Sequence, residues 1–329
     1  MAEIVLGLAS SHSPQLSTPP EMWLAYGEGD KNHTELWAAD GKPYSFEELL
    51  ETVDRVAIEK ELTRGKLESR YNSCQQGIAA LGETLAKASP DVVVMIGDDQ
   101  LELFTDENMP AVLVYWGDTI RNVPPQISES APAHRKANAW GWFADREIDY
   151  PVASGLGKHL IEDLIDQGFD VAHSRRLRTG RGMGHAFGYL YQRVLCQNPI
   201  PTVPIMVNTY YPPNQVPPKR CYELGRAICS SVQSWGENSR VAVIASGGLS
   251  HFVIDEELDY RVIQGLKGRD TDSLFSIPRG KLNSGNSEIR NWIAAAGAVE
   301  HLDMKLIDYV PCYRSPAGTG CAMGFAQWT

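Results

Sequence analysis

The chain predicts an α/β fold: one domain in which helices cover both faces of a sheet, with long loop insertions. Three observations carry this. Short β-branched runs alternate with amphipathic helical stretches from one end to the other. Several runs, such as Asp91–Ile96 (DVVVMI) after its aspartate and Val241–Ile244, are apolar at every position, as strands buried on both faces are. No fixed-period repeat and no linker divides the 329 residues.

The elements follow in order. Glu3–Ala9 is the first strand. From Ser10 to about Tyr44 the pattern is irregular, with Pro19, Pro20, Gly27 and Gly29. Trp23 and Trp37 within it favour a folded loop that covers something. Ser45 with Glu48 has the capping-box form and starts a helix at Phe46. Leu67, Tyr71, Cys74, Ile78, Leu81 and Leu85 keep helical spacing on one stripe, and Pro90 closes that helix. The strand Asp91–Ile96 then runs into Gly97, Asp98, Asp99 and Gln100, and Ala111–Trp116 is another strand. Arg121–Asp149 is a second long excursion, with Trp140 and Trp142. Val152, Leu156, Leu160 and Leu164 mark a helix ending at Gly168, and Asp170–His173 starts a strand. His185 opens a helix to about Cys196. Thr202–Thr209 is a strand, and Cys221, Leu224, Ile228, Val232 and Trp235 stripe a helix. Val241–Ile244 is the strand leading into Gly247, Gly248, Ser250 and His251. Helices follow from Glu256 to about Leu266 and over Glu288–Ala296. Val310–Gly320 reads as a loop and Cys321–Trp328 as the closing strand.

Composition narrows the function. Hydrophobic residues at 43% and charged residues at 22% support a sizeable core. A net charge of -11 argues against a nucleic-acid surface and fits a cytoplasmic protein. No apolar stretch reaches the ~18 residues of a membrane helix, and the N-terminal run lacks the basic flank of a signal peptide. The six cysteines (Cys74, Cys196, Cys221, Cys229, Cys312, Cys321) form no CxxC pair, so they read as free thiols. The segment Arg175–Gly184 (RRLRTGRGMG) lacks GxGxxG order, which argues against a dinucleotide site. Its arginines are either solvated or placed to attract a substrate carboxylate.

His12, Gln100, His185, His251 and Glu257 all fall at or just beyond strand ends or glycine breaks. Ligands of open α/β sheets bind outside the carboxyl ends of the strands, so this shared address marks one site. His33, His134, His159 and His301 lack it. Two histidines and one carboxylate at an open site would form the facial triad of a non-haem Fe(II) enzyme, although no HxD or HExxH unit is present.

Taken together, GLASSHSPQL, DVVVMIGDDQ, GMGHAFGYL, VPIMVNTYYPP with KRCYELG, GGLSHF with EELDY, and SPAGTGCAMGF resemble the class III extradiol ring-cleavage dioxygenases, of the protocatechuate 4,5-dioxygenase catalytic-subunit type and the gallate and 3-O-methylgallate dioxygenases. The resemblance implies a three-layer α/β/α fold on a central mixed sheet. It also implies an Fe(II) cofactor and O2-dependent opening of a catechol-type aromatic acid. Residue by residue, it makes His12 the first metal ligand and Glu257 the carboxylate ligand. His185 becomes the acid/base histidine, and His251 a histidine of the active-site turn. Where the family has an NDH tripeptide, whose histidine is the second ligand, this chain has Asp98, Asp99 and Gln100. Gln100 through its amide oxygen, Glu102 or His251 is open for that place. Tyr313 and Arg314 are the candidates to hold a ring substituent. The family often pairs its catalytic chain with a small second subunit; the tryptophan-bearing loops suggest instead a self-sufficient homodimer. A zinc hydrolase on the same scaffold and a catalytically degenerate binding protein are the competing readings.

Overall fold

The computed structural model describes residues 1–34, 36–196 and 200–329. Its strands are β1 (Glu3–Ser10), β2 (Leu36–Trp37), β3 (Pro43–Tyr44), β4 (Val92–Gly97), β5 (Val112–Tyr115), β6 (Thr119–Asn122), β7 (Ile148–Pro151), β8 (Ala172–Ser174), β9 (Thr202–Val207), β10 (Arg240–Ser246), β11 (His251–Val253), β12 (Met304–Tyr313) and β13 (Thr319–Trp328). Nine of them form one mixed sheet in the order β11-β13-β1-β10-β4-β9-β5-β8, with β12 on the outer edge of β13. β1, β10, β4 and β9 run parallel, whereas β13 lies antiparallel to β1, β11 and β12.

Strand alternation makes the three layers. Ile4, Val92, Val94, Ile96, Val241 and Val243 face one core, where the helices Ser154–Asp166, Pro218–Ser234, Glu256–Gly268 and Ile289–Ala298 cover the sheet. Their neighbours Leu6, Leu8, Val93, Met95, Ala242 and Ile244 face the other, against the helix Arg64–Ala88. The predicted stripe on that helix is buried at Leu67, Cys74, Ile78, Leu81 and Leu85. Ser45 and Glu48 form the reciprocal capping box.

One expectation fails. Residues 310–313 belong to the ten-residue strand β12, which pairs with β13 along nearly its whole length. Pro311 donates no backbone hydrogen bond, but β12 has a partner on one side only, and an edge strand tolerates proline. The loop is thereby reduced to residues 314–318.

β1 lies between a parallel and an antiparallel neighbour. The carboxyl ends of β1, β4 and β10 therefore open into one crevice, and three of the candidate segments converge there.

Candidate active site

His12 follows β1, Asp98 follows β4, His185 begins the helix His185–Tyr189, and Glu288 immediately precedes the helix Ile289–Ala298. One ligand atom from each lies within 4.8 Å of those of the other three. The His12 and His185 Nε2 atoms are 3.1 Å apart, and His12 Nε2 is 3.2 Å from Glu288 Oε2. Glu288 is 1% exposed. It accepts hydrogen bonds from the Gly248 amide at 2.7 Å and the Gln100 amide at 3.0 Å, and His251 Nε2 approaches its other oxygen at 3.4 Å.

The outward-facing nitrogens decide what the inward-facing ones can do. His251 Nδ1 donates to the Leu249 carbonyl at 2.9 Å. His185 Nδ1 meets the Glu102 carboxylate at 2.7 Å. Ser246 spends its hydroxyl proton on the Ala186 carbonyl, so its oxygen accepts from His12 Nδ1 at 3.0 Å. All three rings thus commit Nδ1–H away from the cluster and turn Nε2 toward it, the arrangement in which a second partner fixes a ligand's tautomer.

Charge is packed tightly here. Burial pulls the His185 imidazole down, but the Glu102 carboxylate, with Asp98 and Glu288 behind it, pushes it up to about 10. Burial disfavours ionised Glu288, yet His12 and His251 hold it well below the usual carboxylate range. Burial, then Glu288, raises Asp98 well above that range. Asp98 Oδ1 accepts from Asn291, while Oδ2 is buried with no partner. An orphaned carboxylate oxygen beside a second carboxylate, with the Nε2 atoms of His12 and His185 turned toward it, is costly in an apolar medium and would be relieved by a divalent cation. The mixed nitrogen and oxygen donor set suits such an ion.

Second contacts hold the cluster in shape. Asp99 accepts the backbone amides of Glu102, Leu103 and Phe104, closing the turn that carries Glu102 to His185. Glu102 also accepts the His185 backbone amide at 3.0 Å. Asn291 ties Asp98 to the Ser246 carbonyl. His251 is wedged against Gly248 and Gly285, where an added Cβ would run into its imidazole.

Above the cluster lies a cavity of about 1070 Å³. Its roof is the excursion predicted over Arg121–Asp149, here a hairpin of β6 and β7 enclosing a proline-rich run and the short helix Ala133–Asn138. Trp142 donates to the His12 carbonyl at 3.0 Å, and its ring centroid is 5.8 Å from that of His185. The Trp142 carbonyl fits against bare Gly188, where a Cβ would collide with it. Of the other loop tryptophans, Trp23 is in the core, Trp37 is half-buried on β2, and Trp140 is exposed under Arg193.

The predicted residues divide accordingly. His12, His185 and His251 converge, and Gln100 joins them as a hydrogen-bond donor to Glu288. Glu257 does not: it is exposed in the first turn of Glu256–Gly268, outside the cluster, and Glu288 supplies the buried carboxylate instead. The reason is local. Asp255 caps that helix at the Leu258 amide, so its acidic first turn serves the helix end and solvent. Tyr313 is also outside the cavity, with its hydroxyl donating to Glu256 at 2.8 Å. Arg314 lines the cavity, but both ends of its guanidinium are held by Asp30, at 2.9 and 2.8 Å, with Gln15 on the third nitrogen. Asp98 and Glu288 are the residues sequence reasoning passed over. Asp98 carried one signal, a carboxylate directly after an all-buried apolar strand, whereas Glu288 stands among Asn286, Ser287, Arg290 and Asn291 and carried none.

A buried imidazole and carboxylate cluster beneath an aromatic-walled cavity is the architecture of a metal-assisted enzyme rather than of an interaction surface. Residues 61–320 match the family described as the catalytic LigB subunit of aromatic ring-opening dioxygenase, and the chain belongs to that family. It is 27% identical over 176 residues to a 2,3-dihydroxyphenylpropionate/2,3-dihydroxicinnamic acid 1,2-dioxygenase of Comamonas testosteroni, covering 54% of this chain and 48% of the relative. It is 29% identical over 186 residues to the enzyme of that name from Photorhabdus laumondii, covering 56% and 50%. A gallate dioxygenase of Pseudomonas putida is 30% identical over 117 residues, covering 34% of this chain and 33% of that one. The chain thus spans about half the length, or less, of these curated relatives. No helix among the described residues is long and apolar enough to cross a membrane.

Proposed function

We propose that this chain is a non-haem Fe(II) dioxygenase that opens the ring of a catechol-type aromatic acid beside its two hydroxyls, using O2. The observation that carries the reading is the convergence of His12, Asp98, His185 and Glu288 under the cavity, within a family of ring-opening dioxygenases. The relatives are named for dihydroxylated aromatic acids, which supports that substrate class.

His12, Asp98 and Glu288 would hold the iron, with Asp98 in the place left open by Gln100. Bound there, Fe(II) supplies Lewis acidity toward the phenolic oxygens and a site for O2. The protein's own part is proton handling and shielding. His185 Nε2 faces the reacting end of the cavity while Glu102 holds its Nδ1 proton. With the carboxylate charge of Asp98 and Glu288, which helps raise His185 in the metal-free protein, offset by a bound cation, Nε2 is left to accept a phenolic proton and return it later. His251 is placed beside Glu288 for a second proton transfer. Trp142 covers His12 and His185 and keeps bulk water from them. Because the roof comes from the chain itself, we propose that it works without a small second subunit.

The test is anaerobic loading of the protein with Fe(II), followed by O2-electrode assays across a panel of catechol acids. Stoichiometric O2 uptake with a yellow ring-opened product is expected. Silence across the panel, or tight zinc with turnover that needs no O2, overturns the reading. His185→Asn should keep one equivalent of iron while losing turnover.

A further inference from the structure

The cavity has two chemically different ends. Its acidic lining residues, Glu102 and Glu288, both lie at the floor with the histidines. Away from the floor it is lined by Arg135, on the roof helix Ala133–Asn138, and by Arg181, in the glycine-rich segment before His185. Both are exposed, which places them at the rim. Among the described residues neither guanidinium has a hydrogen bond or an ion pair, in contrast to Arg314, which Asp30 neutralises. Between rim and floor the walls carry Tyr26, Trp142, Phe143 and Phe252.

Size sharpens the contrast. At about 1070 Å³ the cavity is just above the roughly 300–1,000 Å³ typical of sites for drug-sized ligands. A one-ring catechol acid, with about a dozen non-hydrogen atoms, would leave most of that volume to water.

We propose that Arg135 and Arg181 form a carboxylate subsite at the rim, and that the substrate is a two-ring catechol acid. Its hydroxylated ring sits at the floor, its second ring against the aromatic wall, and its carboxylate between the two arginines. A guanidinium matches a carboxylate with paired, charge-assisted hydrogen bonds. The floor, already rich in carboxylates, repels the acidic end, so the same charge distribution that attracts the substrate also orients it. The inference rests on the dioxygenase reading for the identity of the hydroxylated ring, but not for the anion subsite.

The experiment is calorimetric titration of the full-length protein, without O2, with a dihydroxybiphenyl carboxylate, its primary amide and a one-ring dihydroxybenzoate. The biphenyl acid should bind about tenfold or more tighter than the amide. The Arg135→Ala/Arg181→Ala double variant should lose that preference, with thermal unfolding unchanged because both side chains are exposed. Equal binding of acid and amide by the native protein overturns the subsite, as does a preference that survives in the double variant. Binding of the one-ring acid as tight as that of the biphenyl acid overturns the two-ring assignment. The two readings fail separately. Acid-over-amide preference with no ring opening of any catechol sinks the dioxygenase and leaves the subsite; ring opening with no preference does the reverse.

Discussion

The floor and the roof of the cavity are built by opposite means. The floor hangs from the ends of two parallel strands, which place His12 and Asp98, and from the starts of two fully buried helices, which place His185 and Glu288, and each functional side chain has a second partner fixing it. The roof is a single excursion with proline, serine and alanine interspersed among aromatic and charged residues, pinned at a few points: Trp142 to His12, Asn122 to Trp142, and Asn138 to Thr18. A rigid floor sets chemistry to within fractions of an ångström. A lightly pinned roof can differ between relatives without disturbing it, so in the proposed enzyme selectivity would belong to the roof and reactivity to the floor.

Substitutions that separate the two should rank by depth. Glu288→Gln breaks the floor most severely. Metal affinity should fall by more than the about 10–100-fold that loss of an outer partner costs, whereas Glu257→Gln should match the native protein when metal content is measured. Asp98→Asn should weaken binding comparably, and Gln100→Ala much less. Should Gln100→Ala empty the site while Asp98→Asn keeps it filled, the assignment of Asp98 is wrong.

Glu102→Gln tests the floor electrostatically. In metal-free protein His185 is raised from 6.5 to about 10, so its protonated form stabilises the fold below about 6.5 and that contribution fades as the pH rises through about 10. The variant should shift His185 down, seen as an earlier imidazole titration by NMR and a flatter stability profile over that window. An unmoved titration would mean that Glu102 does not set the basicity of His185.

Gly188→Ala strikes the roof, because the new methyl meets the Trp142 carbonyl. KM for the aromatic substrate should rise, about tenfold, with metal content intact. The smallest effect should come from Trp142→Phe, which removes one hydrogen bond to His12 and about 1 kcal/mol of stability, readable by denaturant unfolding. A roof variant that emptied the metal site would erase the distinction.

The same contrast governs how much of the molecule was legible in the sequence. Strand ends are written locally, as apolar runs that stop at glycine. His12, His185 and His251 could therefore be assigned to one crevice from their addresses alone. Glu288 could not. It sits in a buried turn before a fully buried helix, where neither period nor cap sets it apart. Its role depends on contacts with residues 12, 100, 248 and 251 that only the folded sheet brings near. Glu257 had the better local context and the wrong place, because an acidic first turn is a common way of starting a helix. The loop expected at residues 310–320 was misread for a related reason: a proline forbids a central strand but not an edge strand, and edge position is a property of the sheet.

The clustered side chains come from positions 12, 98, 185 and 288, far apart along the chain. A ribosome adds residues at about 5–20 per second, so His12 leaves the exit tunnel many seconds before Glu288 is even made. Until then no complete chelate exists, and the nascent chain offers only scattered, weak ligands to any cation it meets. Capture of the proposed ion would thus wait until the sheet has closed, which would make occupancy a late step in maturation.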